Sequence, residues 1–162
     1  MNLIREVKPN EVQMLRATAD YQFRYDVGRQ LIPDNALLKI SRKTGRIREV
    51  LTVNNERIAS IRASTFTFNL SLYGGSLLHK LVSGLRVKVV NDVIEYVISG
   101  GSVFSRHVLH VDDELRAGDE VLVVDEDDNL LCVGKLALSP YEVMFFTRGV
   151  AVKLRECVEA VK

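Results

Sequence analysis

The acidic and histidine side chains are the first candidates for chemistry in this sequence, since enzymes use these groups as general acids, general bases and metal ligands. Two acidic clusters occur, at Asp112-Asp113 and at residues 125–128. Both interrupt apolar runs, where turns are expected and where carboxylates cap backbone N–H groups and stay solvated. We therefore expect neither cluster to be catalytic.

The other reactive side chains are too dispersed to define a metal centre. His79, His107 and His110 are scattered along the chain, although the last two could share one surface. Cys132 and Cys157 form no Cys-x-x-Cys pair, and we predict that both are small buried residues rather than metal ligands or a disulfide. The sequence also lacks a P-loop, a dinucleotide fingerprint and a nucleophile elbow. These features predict no cofactor, no metal and no catalytic activity.

A pair of glycines, Gly100-Gly101, marks the centre of the second half of the chain. Before it, apolar residues recur at helical spacing over residues 93–98, and glycine ends helices at little cost because it adopts positive φ readily. After it, residues 102–108 alternate roughly between apolar and polar side chains, which predicts a half-buried strand. The sequence thus predicts a helix-to-strand corner at these glycines.

Turns and buried strands follow this corner. Residues 117–120 predict a turn before the apolar strand 121–124, and residues 125–129 predict the next turn. Residues 130–135 predict a further strand, in which Gly134 suggests a bulge.

The order of these elements closely resembles a PUA domain, the small β-barrel module of pseudouridine synthases and archaeal tRNA-modifying enzymes. The resemblance covers residues 86–158. It depends on six elements in the expected order, which are the strand 86–90, the helix after it, Gly101-Ser102-Val103, Gly118-Asp119-Glu120-Val121, Val133-Gly134 and Arg148-Gly149-Val150-Ala151-Val152.

The first half of the chain begins with a predicted helix near Pro9. Apolar residues at spacings of three and four place one helical face against a sheet, namely Val12, Leu15, Ala19, Phe23 and Val27. Short apolar runs at 37–40 and 47–53 then flank the basic turn 41–46, which predicts a hairpin.

A second hairpin and a helix are predicted next. Asn54-Asn55 suits a tight turn into the strand 57–63. Residues 65–72 alternate strictly between polar and apolar, which predicts a strand with one buried face. Gly74-Gly75 is expected to break that strand, and residues 76–82 are expected to form a short helix.

Two segments of this half carry a second resemblance. Asp20-Tyr21-Gln22-Phe23 and Lys43-Thr44-Gly45-Arg46-Ile47-Arg48, followed by a strand with Arg62, resemble the α/β domain that precedes the PUA module in archaeal tRNA-guanine transglycosylase and archaeosine synthase. Those enzymes make archaeosine in tRNA. With the PUA match, the resemblance covers nearly all of the chain.

The sequence departs from that family in three respects. The family usually has glycine after Phe23, where this chain has Arg24, and Asp-Gly beyond the arginine strand, where this chain has Thr65-Phe66. The second change puts any family role of that turn in doubt. The 162 residues also leave no room for the family's catalytic barrel of about 250 residues, so we expect that barrel to be absent.

The PUA resemblance implies that RNA, at an acceptor-stem or 3′-end backbone, meets the corner between residues 100 and 105. Glycine would let a phosphate approach closely, and free N–H groups there could donate to it. The alternative is that the glycines only end a helix. The predicted RNA-binding residues of this half are Gly100, Gly101, Ser102, Phe104, Ser105, Arg106 and His107 at the corner, with Arg86, Lys88, Arg148 and Lys153 beside it. His107 could stack on a base or be an ordinary exposed histidine.

Charge is distributed unevenly between the two halves. Residues 1–85 carry 13 Lys and Arg against 7 Asp and Glu, a net charge of +6, whereas residues 86–162 carry 9 against 14, a net charge of −5. Phosphate attraction scales with the cations brought to the RNA backbone, so the first half would supply much of it. Arg42, Lys43, Arg46 and Arg48 could hold a second run of phosphates, or the basic hairpin tip could simply be solvated.

The whole sequence predicts an α+β protein with a mixed α/β domain at residues 1–83 and a PUA-type β-barrel at residues 84–162. Its 47% apolar residues can bury a core, and no apolar run approaches the about 20 residues of a membrane helix. The N-terminus also lacks the apolar segment of a signal peptide, so we predict a cytoplasmic protein without membrane contact.

The function predicted from these features is non-catalytic binding of structured RNA, with tRNA as the expected partner. The chain could be an accessory subunit of an archaeosine-type tRNA-modifying enzyme. The alternative is a protein-interaction module that docks a catalytic or ribosomal partner without RNA contact, which the negative charge of the second half favours. A strand-rich chain with apolar faces is also compatible with a homodimer.

Overall fold

The computed structural model describes residues 2–159, and the chain divides between Leu81 and Val82 into two compact units. Each unit contains one β-sheet and its own helices, so the predicted α+β class is confirmed. No helix among residues 2–159 has the length and apolar character needed to cross a membrane.

The first unit is an antiparallel sheet whose strands pair in sequence order, covered by helices. Its elements are β1 (Asn2–Glu6), α1 (Pro9–Gln22), α2 (Val27–Leu31), β2 (Leu37–Ser41), β3 (Ile47–Leu51), β4 (Arg57–Ile61), β5 (Phe68–Leu70) and α3 (Leu72–Leu81).

Helix α1 begins at Pro9, as predicted, and buries Val12, Leu15 and Ala19. It ends at Gln22, so Val27 does not extend its apolar face but begins α2. The two helices are separated by a turn in which Asp26 has a φ of 68°, a left-handed conformation that no α-helix continues through. The predicted single face is therefore wrong beyond this turn.

The two predicted hairpins are present. The basic turn joins β2 to β3, and Asn55 adopts a φ of 64° in the turn before β4, as tight turns require. Exposed cations thus lie at the β2–β3 tip.

The predicted strand over residues 65–72 is mostly wrong. Only Phe68–Leu70 pairs with β4, and Leu72 begins α3, which continues through Gly74-Gly75. The Ser71 hydroxyl accepts a hydrogen bond from the Gly74 N–H at 3.0 Å. A Cβ at Gly74 would collide with the Ile58 carbonyl oxygen, so glycine here allows close packing of helix on sheet instead of breaking an element.

The second unit is a six-stranded sheet in the order β7-β11-β10-β9-β6-β8 that curls into a nearly closed barrel. The predicted bulge at Gly134 is present as a register shift against β11. The elements are β6 (Arg86–Val89), α4 (Ile94–Ile98), β7 (Val103–Phe104), β8 (Val108–Val111), β9 (Glu120–Val124), β10 (Leu130–Leu136), α5 (Pro140–Phe145) and β11 (Val150–Cys157).

A three-residue 3₁₀ turn, Ser105–His107, joins the two edge strands β7 and β8. Three residues span at most about 10 Å, so these edges must lie close together and the sheet must curl. The His107 carbonyl oxygen also accepts from the Val90 N–H at 3.0 Å. The single strand predicted over residues 102–108 is therefore wrong, because closure requires a turn in its middle.

The two cysteines are joined by a disulfide, which corrects the prediction of two separate buried residues. Cys132 on β10 lies directly opposite Cys157 on β11 in the antiparallel register. This pairing brings together cysteines that are 25 residues apart, and their sequence spacing gives no sign of it.

Reduction of this disulfide is expected to lower the free energy of unfolding by about 3 kcal/mol, since the cross-link restricts the unfolded chain over a loop of this size. Urea denaturation with and without dithiothreitol measures the difference. A Cys132→Ala/Cys157→Ala variant is the control, and its stability is expected not to respond to the reductant. Equal wild-type midpoints in both conditions, with free thiols absent before reduction, would contradict the expected stabilisation.

Candidate nucleic-acid interface

The corner after α4 is closed by hydrogen bonds to the end of the helix. Gly100 has a φ of 96°, and its N–H donates to the Val97 carbonyl at 3.1 Å. The Gly101 N–H donates to the Tyr96 carbonyl, also at 3.1 Å. The prediction that these glycines offer free N–H donors to a phosphate is therefore wrong. The N–H groups of these two glycines are therefore not free to donate to a phosphate.

The corner remains open to solvent at Gly100 and is covered at Gly101. Among residues 2–159, and apart from the two adjoining residues, no atom lies within 4 Å of a Cβ built at Gly100, whereas a Cβ at Gly101 would lie 2.6 Å from Tyr96 Cε2. The Tyr96 side chain is 45% exposed. Glycine at 101 thus lets an exposed aromatic ring lie against the backbone.

Three aromatic rings and one guanidinium group meet here, and we call Tyr96, Phe104, Arg106 and His107 the corner cluster. The His107 ring makes edge contacts with Tyr96 at 6.0 Å and with Phe104 at 5.6 Å between centroids. The guanidinium carbon of Arg106 lies 5.2 Å from the Phe104 centroid. A cation beside aromatic faces suits both a phosphate and an unpaired base.

His107 is half-buried in the 3₁₀ turn rather than solvent-facing on a strand as predicted. Its Nε2 accepts from Arg106 Nε at 3.5 Å, while its buried Nδ1 has no hydrogen-bond partner among residues 2–159. Burial, and secondarily the positive charge of Arg106, lowers the pKa of His107 below its ordinary value of 6.5. The neutral form of the ring is therefore favoured at pH 7.

Two further corner residues are held by the fold. The Ser105 N–H donates to the Gly149 carbonyl at 3.0 Å, which brings the exposed Arg148 next to the corner. Ser105 itself is buried, and its hydroxyl has no partner among the described residues. Ser102 is half-buried before β7.

The other predicted cations of this unit differ in their availability. Arg86 is only 8% exposed, and its guanidinium donates to the carbonyls of Val82 and Gly84 and pairs with Asp128 at 3.2 Å. These bonds fix the chain entering β6 and leave Arg86 unsuited to a phosphate. Lys88 is half-buried opposite His110.

Lys153 is exposed on β11 and lies opposite Lys135 on β10. Its position places it on the outer surface of the sheet. It is thus available to solvent, on a different strand from the corner cluster.

The basic hairpin tip lies in the first unit. The exposed side chains of Arg42, Lys43, Arg46 and Arg48 form no ion pair within the described part of the chain. Residues 2–159 also contain no group of three His, Cys, Asp or Glu side chains that could hold a metal ion.

Comparison with known families identifies both units. Residues 13–84 match the patch-forming domain C2 of tRNA-guanine transglycosylase, and residues 86–158 match the PUA domain. The chain contains a PUA domain as its second unit. The resemblance predicted from the sequence is confirmed, and the second unit is a PUA-type β-barrel.

Archaeal relatives align with both domains. The tRNA-guanine(15) transglycosylase of Thermoplasma acidophilum is 40% identical over 153 residues, which are 93% of this chain and 24% of that enzyme. The enzyme of Methanosphaera stadtmanae is 39% identical over 156 residues, covering 93% of the chain and 23% of the enzyme. The chain thus spans about a quarter of the length of the curated relatives it matches.

Solved structures share the fold. A hypothetical protein of Pyrococcus horikoshii aligns with a TM-score of 0.73 at 19% identity, over 96% of this chain and 94% of that one. A conserved PUA domain protein of Thermoplasma acidophilum aligns with a TM-score of 0.62 at 17% identity, over 96% and 93% of the two chains.

Sequence reasoning missed two surface features of the PUA domain. Tyr96 lies among the apolar residues of α4, and only its solvent exposure reveals its place in the corner cluster. Helix α5 exposes aromatic side chains that the sequence alone does not distinguish from core. Tyr141 is 77% exposed and Phe145 is 68% exposed, with their rings stacked at 5.9 Å.

The pKa of His107 in the free protein is expected below 6.5, because burial and Arg106 disfavour its charged form. The resulting stability is present above the unfolded-state pKa and is lost as the pH falls through the folded-state pKa of His107. NMR titration of the ring measures the pKa, and thermal unfolding of wild type and His107→Gln across this range measures the linkage. An unshifted or raised His107 pKa would contradict the buried environment.

Proposed function

We propose that the chain is a non-catalytic RNA-binding protein that holds structured RNA, and tRNA in particular, through the corner of its PUA domain. The observation that carries this proposal is the corner cluster, where Arg106 lies over the Phe104 ring beside an exposed Tyr96. Positive charge beside exposed aromatic rings suits RNA backbone and unpaired bases, whereas the edges of paired bases are hard to reach in an RNA duplex. The protein would therefore recognise the shape and the backbone of the RNA rather than its base sequence.

The side chains of the PUA domain would make different kinds of contact with the RNA. Arg106 and Arg148 contact phosphates, and neither forms an ion pair within the described residues. Tyr96 and Phe104 offer ring faces, and Gly100 lets the RNA backbone approach because a Cβ position there is open. Lys88 and Lys153 add long-range attraction, while Arg86 maintains the fold.

The hairpin tip of the first unit provides a second run of phosphate contacts through Arg42, Lys43, Arg46 and Arg48. Its exposed, unpaired cations and the net charge of +6 over residues 1–85 support this role. Electrostatic attraction of this kind is independent of sequence and sensitive to salt.

The biological role that fits best is an accessory subunit in archaeosine-type tRNA modification. Support comes from the relatives, which are tRNA-guanine(15) transglycosylases and align with both the C2 and PUA domains of this chain. A tRNA-modifying enzyme subunit is then the expected protein partner, and the chain would increase the affinity of that subunit for the RNA.

A salt titration of tRNA binding tests this function. Wild type is expected to bind at low salt, with log Kd rising linearly with log salt concentration. Arg106→Gln and Arg148→Gln should each weaken binding and reduce the salt slope by about one, because each removes one phosphate contact. Fluorescence anisotropy with labelled tRNA measures both quantities.

Arg116→Gln is the matched control, since Arg116 is an exposed arginine of the same unit in a turn next to acidic residues. A Gly101 substitution is less suitable, because a new side chain would displace the Tyr96 ring as well as alter the corner. No tRNA binding by wild type at low salt would contradict the function, and equal losses in Arg116→Gln would contradict the corner as its site.

A second candidate function, docking of a protein partner, is favoured by the apolar surface of α5. Tyr141 and Phe145 are stacked and exposed, and Phe146 contacts Phe145 at 6.0 Å, with the exposed Met144 beside them. Exposed apolar patches of this kind mark interaction sites. A second copy of the chain is the occupant that this candidate function predicts for the patch.

The docking function predicts a different result for a Tyr141→Ser/Phe145→Ser variant. Sedimentation over a concentration series should show self-association of wild type that this variant loses, while tRNA binding is absent from both. A wild type that stays monomeric would contradict docking of a second copy through α5. Equal tRNA affinity of wild type and the variant would favour the RNA-binding function.

A further inference from the structure

A cavity of about 560 Å³ lies in the first unit between the basic hairpin tip and the turn that connects β4 to β5. Its walls combine two kinds of side chain. Ile47, Ile61, Ala63 and Phe66 form an apolar floor, and Arg46 and Arg48 form a cationic rim. Ligand sites for small molecules have this size range and this combination of surfaces.

The cationic rim is available to a ligand. Arg46 and Arg48 are exposed and form no ion pair within residues 2–159. By contrast, nearby Lys39 on β2 pairs with Glu49 at 3.3 Å. The rim therefore keeps an uncompensated positive charge, and the ligand that complements it is anionic.

Phe66 occupies an unfavourable backbone conformation at the edge of this cavity. Its φ is 56°, and its N–H donates to the Arg62 carbonyl at 2.8 Å in the turn before β5. A bulky side chain in the left-handed region is strained, and such outliers cluster at functional sites. Phe66 is also 36% exposed, so burial in the core does not explain this conformation.

Glycine would adopt this φ without strain, because it has no Cβ. This chain therefore places a phenyl ring at a backbone position that suits glycine better. The ring faces a cavity with an anion-attracting rim. A flat, apolar ligand that carries a negative charge satisfies all three features.

We propose that this cavity binds an unpaired nucleotide of a structured RNA, with the base stacked on Phe66 and its phosphates held by Arg46 and Arg48. The inference rests on the proposed RNA-binding function and specifies which part of the RNA the first unit recognises. A fully paired stem cannot insert a base here, so the site selects loops, bulges or extruded bases.

Two hairpin RNAs that differ only by a single-nucleotide bulge test this site. Wild type is expected to bind the bulged RNA roughly tenfold more tightly at one fixed salt concentration, within the range that base–aromatic stacking produces. Phe66→Gly should abolish this preference but retain the affinity for the fully paired hairpin. Phe66→Tyr, which keeps a ring face, should retain the preference.

Folding is controlled within the same set of variants. Phe66→Gly relieves the positive-φ strain, so its thermal midpoint is expected to be near that of wild type, and its affinity for the paired hairpin reports an intact phosphate surface. The Arg46→Gln/Arg48→Gln variant should weaken binding of both RNAs and lower the salt slope.

The outcomes separate this inference from the function on which it rests. Equal wild-type binding of the two hairpins, or a preference that survives in Phe66→Gly, would overturn the cavity as a nucleotide site and leave RNA binding intact. No binding of either hairpin at low salt would overturn both. A shift of the Phe66 ring resonances with an acidic peptide, but not with adenosine monophosphate, would overturn it in favour of a protein ligand.

Discussion

The short connection between the two edge strands of the second unit determines where its surface chemistry lies. Ser105–His107 must carry the chain from β7 to β8 at the opposite ends of the sheet order, and the sheet curls to allow it. The same turn presents Arg106 outward and turns the His107 ring toward Tyr96 and Phe104. Barrel closure and the corner cluster are thus consequences of one constraint, and substitutions that disturb the turn would affect both.

Local signals in the sequence predict the elements whose chemistry is also local. Gly100-Gly101 ends α4, Asn55 forms its turn, and the basic tip joins β2 to β3. The predictions fail where contacts between residues distant in sequence determine the secondary structure. Alternation places Leu72 in a strand, but α3 begins there because Ser71 caps it and Gly74 packs against Ile58.

The candidate site follows the same division. The order of the predicted elements locates the corner and its cations, because glycine and arginine residues are identified directly from the sequence. Other features depend on contacts that only the structure shows. Arg86 is buried against Val82, Gly84 and Asp128. The N–H groups of Gly100 and Gly101 bond to the end of α4, and the Tyr96 ring lies against Gly101. The Cys132–Cys157 pairing belongs to this class too, since it depends on the β10–β11 register.

Ultraviolet cross-linking of the chain to tRNA, followed by mass spectrometry of the linked peptides, tests the central claim most directly, because cross-links report which side chains lie against bases. The account predicts cross-links at Tyr96, Phe104 or His107 within the PUA domain, since their rings meet beside an arginine. Cross-links confined to Tyr141 and Phe145 on α5, or none under conditions where tRNA is bound, would contradict the corner as the RNA-binding surface.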